Sequence, residues 1–204
     1  MRLNRYAVMV SGGGTNLQSL IDSDIPADIV CVISSREGVY ALERAQKAGI
    51  PARAIQRKEY SNKAGFDRAN LEALRACGAQ FVVLAGYMQI LGEELVEAYK
   101  NRIINIHPSL IPSFCGMGYY GLHVHEAVLH YGAKVTGATV HLVDSGADTG
   151  PIVLQEAVPV LQGDTPEVLQ RRVMQTEHKL LPRAVRLMSE GRLTVEGRIV
   201  QIAE

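Results

Sequence analysis

Short, nearly continuous apolar runs recur along the first half of the chain, at 6–10, 29–33, 81–85 and 103–106. They lack the strict alternation of strands with one wet face, so they read as strands buried on both faces. Between them lie segments with apolar residues at helical spacing. Leu17, Leu20 and Ile21 share one face of a helix over 15–22. Helices over 39–48 and 61–76 stop at Gly49 and Gly78, and glycine most readily takes the left-handed conformation that closes a helix. A weak strand over 52–55 and a short helix over 92–99 complete the repeat. This alternation predicts an α/β fold with a mainly parallel, Rossmann-like sheet and helices on both faces.

The pattern changes after residue 106. A helix over 123–131 precedes strands over 135–143 and 152–160, and the loop between those strands is short enough for antiparallel neighbours. Thr165 caps a long helix that carries Pro166 in its first turn, runs to about residue 190 and is expected to bend at Pro182. A hairpin around Glu196-Gly197 follows. No repeat, low-complexity segment or linker interrupts the pattern, so residues 1–204 read as a single domain.

Against this frame, Asn105 and His107 stand out. They are two residues apart on a strand, so they face the same way, and Pro108 places them at its carboxyl end. Ligands bind at that rim of open α/β sheets. An amide donor beside a proton-moving imidazole suits chemistry at a carbonyl. A satisfied strand-end Asn with a half-buried His is the plainer alternative. Ser11-Gly12-Gly13-Gly14-Thr15-Asn16 follows the first strand and could cradle a phosphate with backbone amides and short polar side chains. A tight strand-to-helix turn without a ligand remains open beside it. It is not a Walker A loop, and Leu17 stands where a dinucleotide fingerprint needs its last glycine. That leaves little weight for Arg36 as the partner of a 2′-phosphate.

Residues 87–91 after the third strong strand are unusually apolar for a loop, fitting either a buried helix start or the wall of a pocket for a flat heterocycle. Asp144 and Asp148 lie in the Gly-rich loop 144–151 and are either turn formers or a partner that raises the pKa of His107. His141, in mid-strand, reads as a core histidine or one that supports the site. The remaining histidines lack metal-ligand spacing, and no catalytic metal is expected.

Bulk composition removes whole classes of function. Lys plus Arg balances Asp plus Glu at 21 each, so no overall charge recruits nucleic acid or an anionic membrane. Apolar residues make up 47% of the chain, yet no run approaches the roughly 18 residues needed to span a bilayer. The N-terminus lacks a signal-peptide pattern, so a reducing cytoplasm is expected. Cys31 and Cys77 read as buried fillers and Cys115 as a loop thiol.

Taken together, Ser11-Gly12-Gly13-Gly14-Thr15-Asn16-Leu17-Gln18, Leu84-Ala85-Gly86-Tyr87-Met88, the segment 105–112 with its Asn-Ile-His-Pro and the segment 148–152 with its Asp-Thr-Gly-Pro resemble the folate-dependent glycinamide ribonucleotide formyltransferases, over nearly the whole chain. The resemblance implies a three-layer formyltransferase-like fold with antiparallel C-terminal strands. Residues 1–104 would form its phosphate-binding half and 105–204 its catalytic, folate-facing half. It implies that Asn105 holds the formyl oxygen, that His107 is the general acid/base and that Asp148 supports it. The phosphate and ribose of glycinamide ribonucleotide would be bound by Gly13, Gly14, Thr15, Asn16 and Glu177. The folate of 10-formyltetrahydrofolate would be bound by Lys63, Met88, Gln89, Ile90 and Leu91, with Asn105. On the resemblance the co-substrates would be small molecules, with no metal, nucleic acid or membrane involved, and the protein would be a monomer or homodimer. Gln89 and Lys63 stand where arginine is common, Met174 where a polar residue is common, and the loop 113–121 is longer than usual.

The same chemistry leaves rivals. A methionyl-tRNA formyltransferase is expected to carry a further domain and a basic surface, and a formyltetrahydrofolate hydrolase an N-terminal regulatory domain. A nucleotide-phosphate-binding module without catalysis needs neither Asn105 nor His107.

Overall fold

The computed structural model describes residues 4–203. Its strands and helices are β1 (Arg5–Val10), α1 (Thr15–Ile21), β2 (Asp28–Ser34), α2 (Tyr40–Lys47), β3 (Ala52–Ala54), α3 (Lys63–Ala76), β4 (Phe81–Leu84), α4 (Glu93–Ala98), β5 (Ile103–His107), α5 (Leu122–Tyr131), β6 (Val135–Leu142), β7 (Ile152–Pro159), α6 (Pro166–Ser189), β8 (Leu193–Glu196) and β9 (Ile199–Ile202). One sheet of nine strands runs through them in the order β3-β2-β1-β4-β5-β6-β7-β9-β8. The strands from β3 to β5 are parallel. β6 then runs antiparallel to β5, and β7 antiparallel to β6.

The continuous apolar strands have the two covered faces that their pattern requires. Along β1, Tyr6, Val8 and Val10 enter a core shared with Leu17, Leu20, Ala41, Val128, Leu169 and Leu181. Ala7 and Met9 enter the opposite core with Phe66, Leu71, Leu74 and Leu95. So α1, α2, α5 and α6 cover one face and α3 and α4 the other. Each fully buried Val, Leu or Phe contributes roughly 1.5–3 kcal/mol of transfer free energy, and a one-residue register slip would exchange the two cores.

Local signals end the helices where the sequence suggests. Gly49 and Gly78 take φ of 70° and 69° after α2 and α3. Asn62 starts α3 by accepting a bond from the Gly65 amide at 2.8 Å. Thr165 starts α6, which continues through Pro182 as a single helix. Its entry is clamped by the Arg172–Asp164 ion pair at 2.6 Å. Cys31 is buried and Cys77 half-buried, with their sulfurs 2.7 Å apart, and both are free thiols. No described helix is long and apolar enough to cross a membrane.

Candidate active site

β1 pairs with β2 on one side and β4 on the other. The connections therefore diverge at the carboxyl ends of β1 and β4, the crevice where open sheets bind ligands. Ser11, directly after β1, ties this crevice together. Its hydroxyl shares a buried 2.6 Å hydrogen bond with Ser35 after β2 and accepts from the Met88 amide after β4 at 2.8 Å.

Two cavities open here. The first, of about 290 Å³, is lined by Tyr87 to Leu91, the 116–121 loop, Asn105, His107, His141 and Asp148. Met88 and Ile90 are large apolar side chains left exposed on its wall. The second, of about 640 Å³, is lined by the turn Ser11 to Asn16 with Arg36, Gln170 and Tyr120. Gly86, Met88, Gln89 and Tyr120 belong to both.

The polar cluster of the first cavity comes from strand pairing. The register of β5 with β6 sets Asn105 opposite His141 and His107 opposite Thr139. Asp148 reaches the cluster from the loop after β6, in a left-handed conformation with φ of 57°, which Asp tolerates better than most residues. Its Oδ1 accepts from the Asn105 amide at 3.3 Å and its Oδ2 from the Gly116 amide at 2.9 Å. His107 Nδ1 lies 3.5 Å from Oδ2, and His141 Nε2 lies 3.5 Å from Oδ1.

Tautomers follow from the carbonyls. A carbonyl oxygen only accepts. His107 Nε2 therefore donates to Phe114 O at 2.9 Å, and its Nδ1 is the nitrogen left to take up a proton. His141 Nδ1 likewise donates to Leu142 O at 2.8 Å, so its Nε2 accepts from the Asn105 amide at 3.1 Å.

Burial holds the His107 pKa below the usual 6.5, opposed by the Asp148 charge and the Phe114 carbonyl and reinforced by His141. Burial would raise the Asp148 carboxyl, but the neighbouring His141 and His107 rings and the Gly116 amide outweigh it and hold the group below the ordinary range. Asp148 is thus an anion aimed at a neutral imidazole. His125 on α5 is also neutral, its pKa pushed down to about 4 by burial and by His107.

The carbonyl that orients His107 is itself held in place. Phe114 has a φ of 51°, uncommon for a bulky residue. Its ring packs edge-on against Tyr119 and Tyr131. Just upstream, Ser109 Oγ donates to Ser113 O at 2.6 Å and the buried Thr139 Oγ1 to Ser109 O at 2.6 Å. Gln155 reaches across from β7 to Thr139 Oγ1 and Ile111 O, at 2.9 Å each.

The second cavity is built differently. Gly14 has a φ of 72° and a position where a Cβ would fall 2.7 Å from that of Ala41. Arg44 braces the turn by donating to Gly13 O at 2.9 Å. Beneath it, the Asn16 amide reaches Glu177 at 3.5 Å, and Asn16 Oδ1 is buried without a partner. Burial pushes the Glu177 carboxyl up to about 7, against the opposing Asn16 bond.

Most of the residues singled out in the sequence thus line one rim. Asn105, His107, Asp148 and Met88 to Leu91 line the first cavity, Gly13 to Asn16 the second, and Glu177 lies below Asn16. The first cavity draws on both halves of the chain. Lys63 lines neither cavity and is paired with Asp67 at 2.6 Å on α3. Asp144 forms a turn, accepting from Thr149 at 2.6 Å and Gly146 at 3.1 Å. The sequence reading missed the contacts of the Gly116 amide and the Phe114 carbonyl, and left His141 in a supporting role without partners. Pairing 135–143 antiparallel to 103–106 is the signal that would have set His141 against Asn105. Among the described residues, no group of three or more His, Cys, Asp or Glu is placed to hold a metal ion.

A formyl transferase family model matches residues 4–185. The chain is 48% identical to the trifunctional purine biosynthetic protein adenosine-3 of Bos taurus, over 98% of this chain and 20% of that protein. It thus spans about a fifth of that relative's length. It is 37% identical to the phosphoribosylglycinamide formyltransferase of Haemophilus influenzae, over 98% of this chain and 94% of that one. The crystal structure of glycinamide ribonucleotide transformylase 1 from Symbiobacterium toebii superposes with a TM-score of 0.94 at 46% identity, over 99% of this chain and 95% of that one. A formyltetrahydrofolate deformylase from Pseudomonas syringae superposes with a TM-score of 0.89 at 28% identity, over 100% of this chain and 67% of that one. A family match that takes in seven of the nine strands, with relatives that share both the sequence and the fold, makes this chain a member of the formyl transferase family.

Proposed function

We propose that the protein transfers the formyl group of 10-formyltetrahydrofolate to the amine of glycinamide ribonucleotide, a step of purine biosynthesis. The observation that carries this reading is the position of the Asn105–His107–Asp148 cluster, in an apolar-walled cavity that shares Gly86, Met88, Gln89 and Tyr120 with a second cavity built around a glycine turn. The formyl donor is a substrate here, and the exposed Met88 and Ile90 suit one face of its flat ring system. The turn Gly13 to Asn16 suits the phosphate of the acceptor. The orphaned Asn16 Oδ1 and the Glu177 carboxylate suit ribose hydroxyls, which can donate to both.

In this reading the neutral amine attacks the formyl carbon and forms a carbon–nitrogen bond, and negative charge develops on the formyl oxygen. Asn105 is anchored through His141, and its longer 3.3 Å bond to Asp148 is the one exchanged for that oxygen. One such donor is worth about 3–4 kcal/mol in the transition state. His107 takes the proton that the attacking nitrogen must lose, at Nδ1, and Asp148 stabilises the imidazolium. The same proton passes to the folate nitrogen as its bond to the formyl carbon breaks, giving formylated ribonucleotide and tetrahydrofolate. General acid–base help of this kind adds about 10²–10⁴-fold. No covalent enzyme intermediate is needed.

Product analysis with and without glycinamide ribonucleotide tests the reading. Formylated ribonucleotide in step with folate release, and no formate when the amine is absent, is expected. Formate release independent of the amine would favour hydrolysis, the activity in the name of the Pseudomonas syringae relative. Binding of both compounds without turnover would favour a non-catalytic module.

A further inference from the structure

The second cavity has an uneven charge inventory. Its lining consists of the glycine turn, neutral polar side chains, apolar groups and a single cation, Arg36, with no carboxylate among them. A phosphate monoester carries close to two negative charges at neutral pH and only accepts hydrogen bonds from its surroundings when fully ionised. Asn16 Oδ1 is itself an acceptor and cannot serve it.

Arg44, the other nearby cation, is already committed. It bonds Gly13 O at 2.9 Å and Gln18 Oε1 at 2.8 Å, and it stacks over the Tyr40 ring. Arg36 is held by its backbone alone. The buried Ser34 hydroxyl donates to Arg36 O at 2.6 Å and accepts from Arg36 N at 3.1 Å. The strand end that carries it is pinned to β1 by the Ser35 amide, bonded to Val10 O at 3.1 Å, and by the Ser11–Ser35 hydroxyl pair. Among the described residues, the Arg36 guanidinium has no hydrogen-bond or ion-pair partner. A fixed backbone with an uncommitted guanidinium at the wall of a polar cavity without a carboxylate is a charge partner without its anion.

We propose that Arg36 is the charge partner of the ribonucleotide phosphate and thereby a specificity determinant for phosphorylated over unphosphorylated acceptors. This rests on the ribonucleotide reading above. The guanidinium supplies planar donors to the phosphate oxygens, while the backbone amides of the glycine turn and the Thr15 hydroxyl supply the rest.

Arg36→Gln tests it, in two arms. Calorimetric titration of the parent protein with inorganic phosphate should show binding that weakens several-fold in the variant and falls with added salt. In steady-state assays the variant should raise KM for glycinamide ribonucleotide about tenfold, the size expected for one partly exposed charged hydrogen bond. Its kcat and its KM for the formyl donor should stay within about twofold, on the same estimate. With glycinamide riboside, which lacks the phosphate, parent and variant should perform alike, and Arg36→Lys should recover part of the loss. An equal loss with the riboside would mark a structural effect and overturn the proposal, as would an unchanged KM for the ribonucleotide. If the parent does not formylate the ribonucleotide at all, the substrate reading fails. The phosphate titration then decides the anion site alone, and equal phosphate binding by parent and variant would overturn it.

Discussion

The two cavities meet at Gly86, Met88, Gln89 and Tyr120 but are made of different materials. The phosphate-side cavity is built from main chain: a glycine turn, a brace from Arg44 to a carbonyl and strand ends locked by serine hydroxyls. The formyl-side cavity is built from interlocked side chains, in which Asn105, His107, His141 and Asp148 fix one another's orientation and tautomer. On the proposed reading, backbone supplies most of the grip on a constant group such as phosphate and Arg36 adds a single charge, so substitutions there change affinity. A reacting centre needs a donor and a proton carrier at set positions, so single side chains there carry large effects. The lesson is a division of labour: substitutions on the formyl side should fall on turnover, and those on the phosphate side on affinity.

The strongest way to break this division is to remove the groups proposed to act on the formyl carbon. His107→Ala should lower kcat by about 10²–10⁴-fold, and Asn105→Ala by about 10²–10³-fold, both read by folate release at saturating substrates. Near-normal turnover in either would return the pair to a structural role.

Asp148→Asn should cost less, about tenfold to a hundredfold, and should move a pH profile. The Asp148 charge raises the His107 pKa while burial lowers it, and the net value lies below 6.5. If His107 acts as the proposed base, its neutral form is the competent one, and kcat/KM should fall on the acid side of that value. Removing the carboxylate charge should shift this limb further toward acid. A shift toward alkali would contradict the assignment.

Glu177→Gln sharpens the comparison through stability. The native carboxyl titrates near 7 against an ordinary 4.5. The folded state therefore binds more protons than the unfolded state between those values, and stability falls as pH rises through that window. The neutral variant escapes this penalty. It should be more stable than the parent at pH 8 by on the order of 3 kcal/mol, and no more stable at pH 4, by denaturant unfolding. Its KM for the ribonucleotide should rise with kcat largely kept.

Gly14→Ala is expected to have the smallest effect. A methyl group there enters a left-handed conformation and meets Ala41. Stability should fall by about 1–2 kcal/mol and affinity for the ribonucleotide should fall several-fold, with affinity for the formyl donor retained. Equal loss of both affinities would blur the division.

Much of this was legible in the sequence because two-sided burial writes itself as continuous apolar strands. Tyr6 to Val10 pointed to a parallel sheet, and Pro108 placed Asn105 and His107 at its ligand-binding rim. Asp148 and the turn around Gly14 were legible by motif. What stayed hidden were contacts that depend on tertiary register and on main-chain atoms. His141 becomes the anchor of Asn105 only when β6 pairs antiparallel with β5. The Phe114 carbonyl and Gly116 amide carry no side-chain signature at all. Arg36 was visible but lacked a reason until the second cavity supplied one. The resemblance sets Lys63 near the folate tail, and in the structure it lies outside both cavities, paired with Asp67.

The central claim is that ribonucleotide capture and formyl transfer reside in separable parts of one crevice. The most direct test is a paired measurement on His107→Ala: calorimetric affinity for glycinamide ribonucleotide, and single-turnover formyl transfer with both substrates saturating. The account predicts affinity within about threefold of the parent and a transfer rate at least about a hundredfold lower. Lost ribonucleotide affinity, or a transfer rate close to that of the parent, would contradict it.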